Sequence, residues 1–230
     1  VTETRLAPPT RPSPGAVPTP SVAAIVARAA GRTAVVAAAA LVLGGLTSPA
    51  QTLLPQWIGG FANSSGGWSI LVFAMVWAVR SRPALSAVLG AVAFVLLVEG
   101  YRMVSGWRGF YYDEPFQNEF TVIGLLVGPV IGVSAALVRS SSPTWRTLAV
   151  APLSTVLVGE GLYGLVVLGQ GLQDVWWVLQ MVLGAAFLVR GTVGTRRSAP
   201  PWVPVVAAGS VVVLSVVLVV AYAALPLLLM

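Results

Sequence analysis

The feature that most constrains this chain is the recurrence of apolar stretches long enough to cross a bilayer. From Thr33 to Ala224 one such run follows another, separated by short turns carrying Pro, Gly, Ser or Arg. A hydrocarbon core about 30 Å thick takes ~20 residues of helix to cross. No water reaches the backbone there, so every N–H and C=O must be paired internally, which leaves helices or a closed barrel. Only 9% of the residues are charged, against roughly 25% in a soluble domain. The expected fold class is all-α, a polytopic integral membrane protein with about seven transmembrane helices.

The spans are expected near residues 33–53, 61–79, 84–104, 119–138, 147–169, 175–189 and 203–224. The second is the weakest. Its strongly apolar part runs only from Trp68 to Val79, a length that also suits a re-entrant segment. Residues 1–21 are Pro-rich, with Arg5 and Arg11. Proline lacks the N–H that helices and sheets need, so this part reads as a disordered basic tail. Residues 22–230 read as a single transmembrane helical domain.

Missing residue types exclude several chemistries. The chain has no Cys, no His and no Lys. Disulfides, thiolate nucleophiles and Cys-ligated metals are ruled out. So are the usual general base and any lysine Schiff base. No phosphate loop, dinucleotide fingerprint or zinc-protease motif occurs. No cofactor and no metal are expected.

The net charge of +6 is an orientation signal. All thirteen arginines except Arg102 and Arg108 fall in the N-terminal segment or in the turns after the second, fourth and sixth spans. Asp113, Glu114, Glu119 and Asp174 lie at the opposite ends. The positive-inside rule then puts the N-terminus in the cytoplasm and the C-terminus outside the cell membrane. The expected partners are the lipid bilayer and other membrane proteins or further copies of the chain. Nucleic acid is not expected.

A two-span repeat is suggested after the first helix. Val79-Arg80, Val138-Arg139 and Val189-Arg190 each precede a proline-containing turn, and each returning span carries a tyrosine, Tyr101, Tyr163 or Tyr222. Three such hairpins would form a parallel repeat. The alternative is that Val, Arg and Pro are the ordinary composition of cytoplasmic turns.

Two carboxylates fall inside spans, Glu99 in VLLVEGYRM and Glu160 in VLVGEGLYG. An ionisable group in lipid is costly and calls for a partner, water or a task. Arg102 lies three residues beyond Glu99 on the same helical face, so an ion pair with Arg102 snorkelling outward is expected there. Glu160 has no arginine within a turn, and Gly159 and Gly161 allow close approach by a helix or ligand. It is read as lining a polar cavity that holds a proton, a cation or a basic group. The alternative is a hydrogen-bonded structural glutamate, with Gln170, Gln180, Ser154 or Tyr101 as partners. The candidate ligand, proton or cation site thus comprises Glu160, Glu99, Tyr101, Tyr163 and Arg102.

Gly124, Gly128 and Gly132 recur every four residues, with Pro129 among them. That spacing makes a smooth ridge for close helix packing, and Pro129 frees a backbone carbonyl one turn earlier. The loop from Ser105 to Asn118 is rich in aromatic residues. It reads as an interfacial belt or, alternatively, as a lid; Trp176 and Trp177 also read as belt.

Gly128-Pro129, Gly159-Glu160-Gly161 with Tyr163, and Glu99-Gly100-Tyr101 resemble an uncharacterised family of small bacterial multi-span membrane proteins. The resemblance covers roughly Leu41 to Ala224. It implies a class and no mechanism. The function expected from the residues is that of a small transporter-like or ligand-binding membrane protein, with an outward-facing pocket at Glu160 and Glu99. The alternatives are a non-catalytic scaffold packing through Gly124, Gly128 and Gly132, and an intramembrane enzyme using both glutamates.

Overall fold

The computed structural model describes residues 21–110, 114–117, 119–169 and 171–228. The Pro-rich segment up to residue 20, Tyr111, Tyr112, Asp113, Asn118 and Gln170 lie outside the described residues. Among the described residues all regular structure is helical. The helices are α1 (Val22–Leu53), α2 (Gln56–Gly59), α3 (Ser65–Val79), α4 (Pro83–Trp107), α5 (Glu119–Leu137), α6 (Pro143–Leu148), α7 (Ala151–Tyr163), α8 (Asp174–Thr195) and α9 (Trp202–Leu228). The chain is an integral membrane protein. Six helical stretches are long and apolar enough to cross a bilayer, α6 and α7 counting as one; the pair Gln56–Asn63 and Ser65–Val79, bent by 62°, makes a seventh if it is one span.

Local chemistry sets several boundaries. Pro83 and Pro143 occupy the first turns of α4 and α6, where the missing N–H has no intrahelical acceptor to lose. Ser64 caps α3, its hydroxyl accepting the Gly67 N–H at 3.0 Å. The first and sixth spans exceed the expected lengths, because α1 begins at Val22 and α8 runs to Thr195. The added turns bring in Arg28 and Arg32, and Arg190, whose long side chains can reach out of the apolar layer.

α3 joins the two halves of the molecule. In one half α4 packs against α1 and α5; in the other α7 packs against α8 and α9; α3 touches α4, α5 and α7. The core draws Trp68, Val72 and Val76 from α3, Leu89, Phe94 and Leu97 from α4, Ile131 from α5, and Leu153 and Leu157 from α7. Val205, Val212, Val213, Val216, Val217 and Val220 of α9 are exposed, as valines facing acyl chains would be.

The glycine ridge of α5 lies against α4. A Cβ on Gly124 would press on the Phe94 ring, one on Gly128 on the Gly90–Ala91 backbone, and one on Gly132 on the Ser86 carbonyl. The ridge is therefore covered by this chain's own α4. Gly44 and Gly100 make a comparable close approach between α1 and α4.

Cross-helix hydrogen bonds define two ends. At one, Arg139 donates to the Trp77 carbonyl, with its guanidinium 3.8 Å from the centroid of the Trp77 ring, and the Thr147 and Thr195 hydroxyls are hydrogen-bonded. At the other, Arg108 donates to the Ser48 carbonyl and, at 3.0 Å, to Thr52 Oγ1.

Candidate functional site

The bent helix pair is interrupted at Asn63-Ser64-Ser65. A 3₁₀ turn, Gly60–Asn63, ends the short α2 segment. Ser64 is extended, at φ −140° and ψ 145°, and α3 starts afresh at Ser65. A helix beginning inside the bundle leaves its first N–H groups without intrahelical acceptors, and its macrodipole makes that end a site for negative charge.

Glu160 fills that role from α7. The Ser65 N–H donates to its Oε1 at 2.7 Å and the Gly66 N–H to its Oε2 at 2.5 Å. Gln180 Nε2 of α8 donates to Oε2 at 3.0 Å and to the Leu157 carbonyl at 3.3 Å. The Ser64 hydroxyl faces Gln180 Oε1 at 3.4 Å. The Tyr222 hydroxyl of α9 donates to Ser65 Oγ at 2.6 Å. Glu160 is 7% exposed and Gln180 fully buried. One carboxylate thus ties together α3, α7 and α8, and reaches α9 through Ser65.

Glycines set the distances. A Cβ on Gly66 would fall 2.6 Å from Gln180 Cδ, so any larger residue would push the amide off the carboxylate. Gly159 faces Ser215 of α9, and Gly161 faces Trp177 and Met181 of α8. The glycines flanking Glu160 therefore admit two helices, one on each side. Trp176 and Trp177, expected in an interfacial belt, are buried within the protein instead. Trp176 meets Phe61 edge-on, with ring centroids 5.5 Å apart.

A cavity of about 450 Å³ opens beside the carboxylate, lined by Glu160, Asn63, Ser64, Ser65 and six aromatic residues: Trp68, Phe94, Tyr101, Phe120, Tyr163 and Tyr222. The Trp68 ring packs against Tyr101, Phe94 and Phe120 at 5.8, 6.4 and 6.4 Å between centroids. Tyr163 and Tyr222 are 5.3 Å apart. The tyrosines of the three returning spans converge here. The Tyr101 hydroxyl donates to Gln51 Oε1 at 3.2 Å, and Gln51 Nε2 to the Ala62 carbonyl at 3.2 Å. The last turn of α1 is thereby held to the segment that precedes α3.

Glu99 and Arg102 are placed elsewhere. Neither lines this cavity. Arg102 Nε pairs with Glu99 Oε2 at 2.8 Å, the i,i+3 arrangement expected from spacing. Glu99 Oε1 accepts the Phe116 N–H at 2.8 Å. Phe116 has φ +61°, a conformation uncommon outside glycine. Glu99 thus pins one turn of the connection between α4 and α5. The two carboxylates serve different neighbourhoods because Gly100, beside Glu99, is taken up by α1, whereas α3 begins at Glu160.

Sequence reasoning singled out Glu160, Tyr101 and Tyr163, and named Gln180 as an alternative partner. It passed over Ser64, Ser65, Gly66 and Trp68. The available signal was an apolar segment interrupted by Asn63-Ser64-Ser65-Gly66-Gly67, a cap followed by small residues.

A family model described as "Family of unknown function (DUF6518)" matches residues 23–225, and the chain belongs to that family. Neither the curated proteins nor the solved structures contain a match to the chain.

Proposed function

We propose that this member of a family of unknown function is a small transporter-like or ligand-binding membrane protein whose binding site is the cavity beside Glu160. In this reading it lies in the cytoplasmic membrane, with the arginine-rich turns at the cytosol and the cavity opening toward the other face. The observation that carries the reading is the coincidence of a sharply bent helix pair, a buried carboxylate on the new helix start, and a cavity of about 450 Å³ at the same place. Discontinuous helices meeting at a polar site within the membrane are how transporter folds place binding groups in lipid. A cavity of a few hundred Å³ with few polar groups and mostly apolar walls is also the usual form of a small-molecule site.

The absence of cysteine makes a direct test available. Asn63 is exposed at the cavity and also lines an adjoining cleft. Single Asn63→Cys and Ser65→Cys variants, reconstituted in vesicles, are treated with a membrane-impermeant maleimide. Both should react from the face opposite the arginine-rich turns. Lack of reaction at both positions, with the denatured variants reacting normally, would remove the proposed site.

The scaffold reading loses its main surface, because Gly124, Gly128 and Gly132 are covered by α4. The enzyme reading requires two carboxylates on one cavity, and Glu99 does not line the one at Glu160.

A further inference from the structure

We infer that the ligand of the Glu160 cavity is an organic cation, a substituted ammonium group carrying apolar substituents. The inference rests on the cavity being a ligand site and adds the ligand's chemical class.

Charge gives the first argument. Glu160 is the one acidic side chain, and no basic one is present, among the described residues lining the cavity. Its hydrogen-bond donors are two backbone N–H groups, the Gln180 amide and the Ser65 hydroxyl, none of which carries a formal charge. The ion pair found among the described residues, Arg102 with Glu99, lies outside the cavity. A buried carboxylate normally acquires a cationic partner, and here the protein supplies hydrogen bonds without supplying a cation. An incoming ammonium would complete the set. An anionic ligand would face the same carboxylate with no arginine to offset it.

The walls give the second argument. Six of the ten described residues that line it are Trp, Phe or Tyr. The face of an aromatic ring is the negative end of its quadrupole and attracts ammonium groups, and clustered rings are how proteins recognise quaternary ammonium ligands. Each ring set against the cation contributes about two- to thirtyfold in affinity, the gain rising as water is excluded.

Size and polarity narrow the class. A cavity of about 450 Å³ is far larger than a bare metal ion requires, and no cluster of three metal-ligating side chains exists among the described residues. Two cavity hydroxyls are already committed, Tyr222 to Ser65 and Tyr101 to Gln51. That leaves little for a polyhydroxylated ligand to bond, whereas an alkylated ammonium asks for apolar contact and one counter-charge.

The test uses the full-length Asn63→Cys protein in vesicles and measures its maleimide labelling rate with tetraethylammonium, with choline, or with dimethylbutanol, the uncharged isostere of choline. Saturating tetraethylammonium or choline should slow labelling by about tenfold, and dimethylbutanol should leave it unchanged. Adding Tyr163→Leu should raise the concentration needed for half-protection by about tenfold, while Tyr163→Phe, which keeps the ring, should not. These two variants leave the Glu160 hydrogen bonds in place, so they separate ligand contact from folding. Equal protection by the charged and uncharged isosteres, or no protection by any probe at a position that still labels, would overturn the cation assignment and leave the cavity reading intact. Failure of both Asn63→Cys and Ser65→Cys to label, with the denatured variants reacting normally, would overturn both.

Discussion

Glu99 and Glu160 look alike in sequence and do different things in the fold. Each sits in an apolar helix, precedes a glycine and is at least nine-tenths buried. Glu99 is paired with Arg102 of its own helix and holds one backbone N–H of the following loop. Glu160 has uncharged donors from two other helices and stands against a cavity. The contrast teaches that burial of a carboxylate in a membrane protein says little about its role until its partners are known. A charge neutralised within one turn is a local brace. A carboxylate satisfied by uncharged groups far away in the sequence organises tertiary structure.

The largest effect expected from this contrast is on stability. Glu160→Leu leaves the Ser65 and Gly66 N–H groups and the Gln180 amide buried without their acceptor. At about 1–3 kcal/mol for each unsatisfied group, the loss should reach ~3 kcal/mol or more. Glu99→Leu frees Arg102, whose side chain is 23% exposed and can turn toward water, so its cost should be about 1–2 kcal/mol. Thermal unfolding of both variants in one detergent checks the order. Equal losses would break the comparison.

An intermediate effect tests the brace itself. Arg102→Ala strands the Glu99 charge and should cost about 2 kcal/mol. Adding Glu99→Gln should recover most of that, giving clear non-additivity in a double-mutant cycle. The same Gln substitution at Glu160 has no arginine whose removal it could rescue. The smallest effect concerns the cap. Ser64→Ala removes the bond to the Gly67 N–H and should cost about 1 kcal/mol, with Ser64→Gly costing only a few tenths. A far larger loss for Ser64→Ala would mean that its contact with Gln180 carries more of the site than the 3.4 Å separation suggests.

Much of the architecture was legible because lipid leaves so few choices. Long apolar runs specify spanning helices; Pro83 and Pro143, expected in turns, open α4 and α6 in the fold. The weak second span was recognisable as weak, since Trp68–Val79 alone is short; its bend arises where Ser64 caps a new helix. Helix ends were less accurate at α1 and α8, where arginines stop a hydropathy reading before they stop a helix. The Glu99–Arg102 pair could be read from spacing because both residues lie on one helix. The cavity could not, because Trp68, Phe94, Tyr101, Phe120, Tyr163 and Tyr222 come from α3, α4, α5, α7 and α9, and no local pattern links them.

The sequence by itself determined that this chain is a bundle of membrane-spanning helices, which residue types its chemistry must do without, and that two carboxylates would need shelter from lipid. The tertiary structure alone decided which shelter each received. Hydrophobic and backbone hydrogen-bonding requirements act within a segment and are written in its composition. The acceptor for a helix start, and the rings that enclose a cavity, depend on which segments become neighbours.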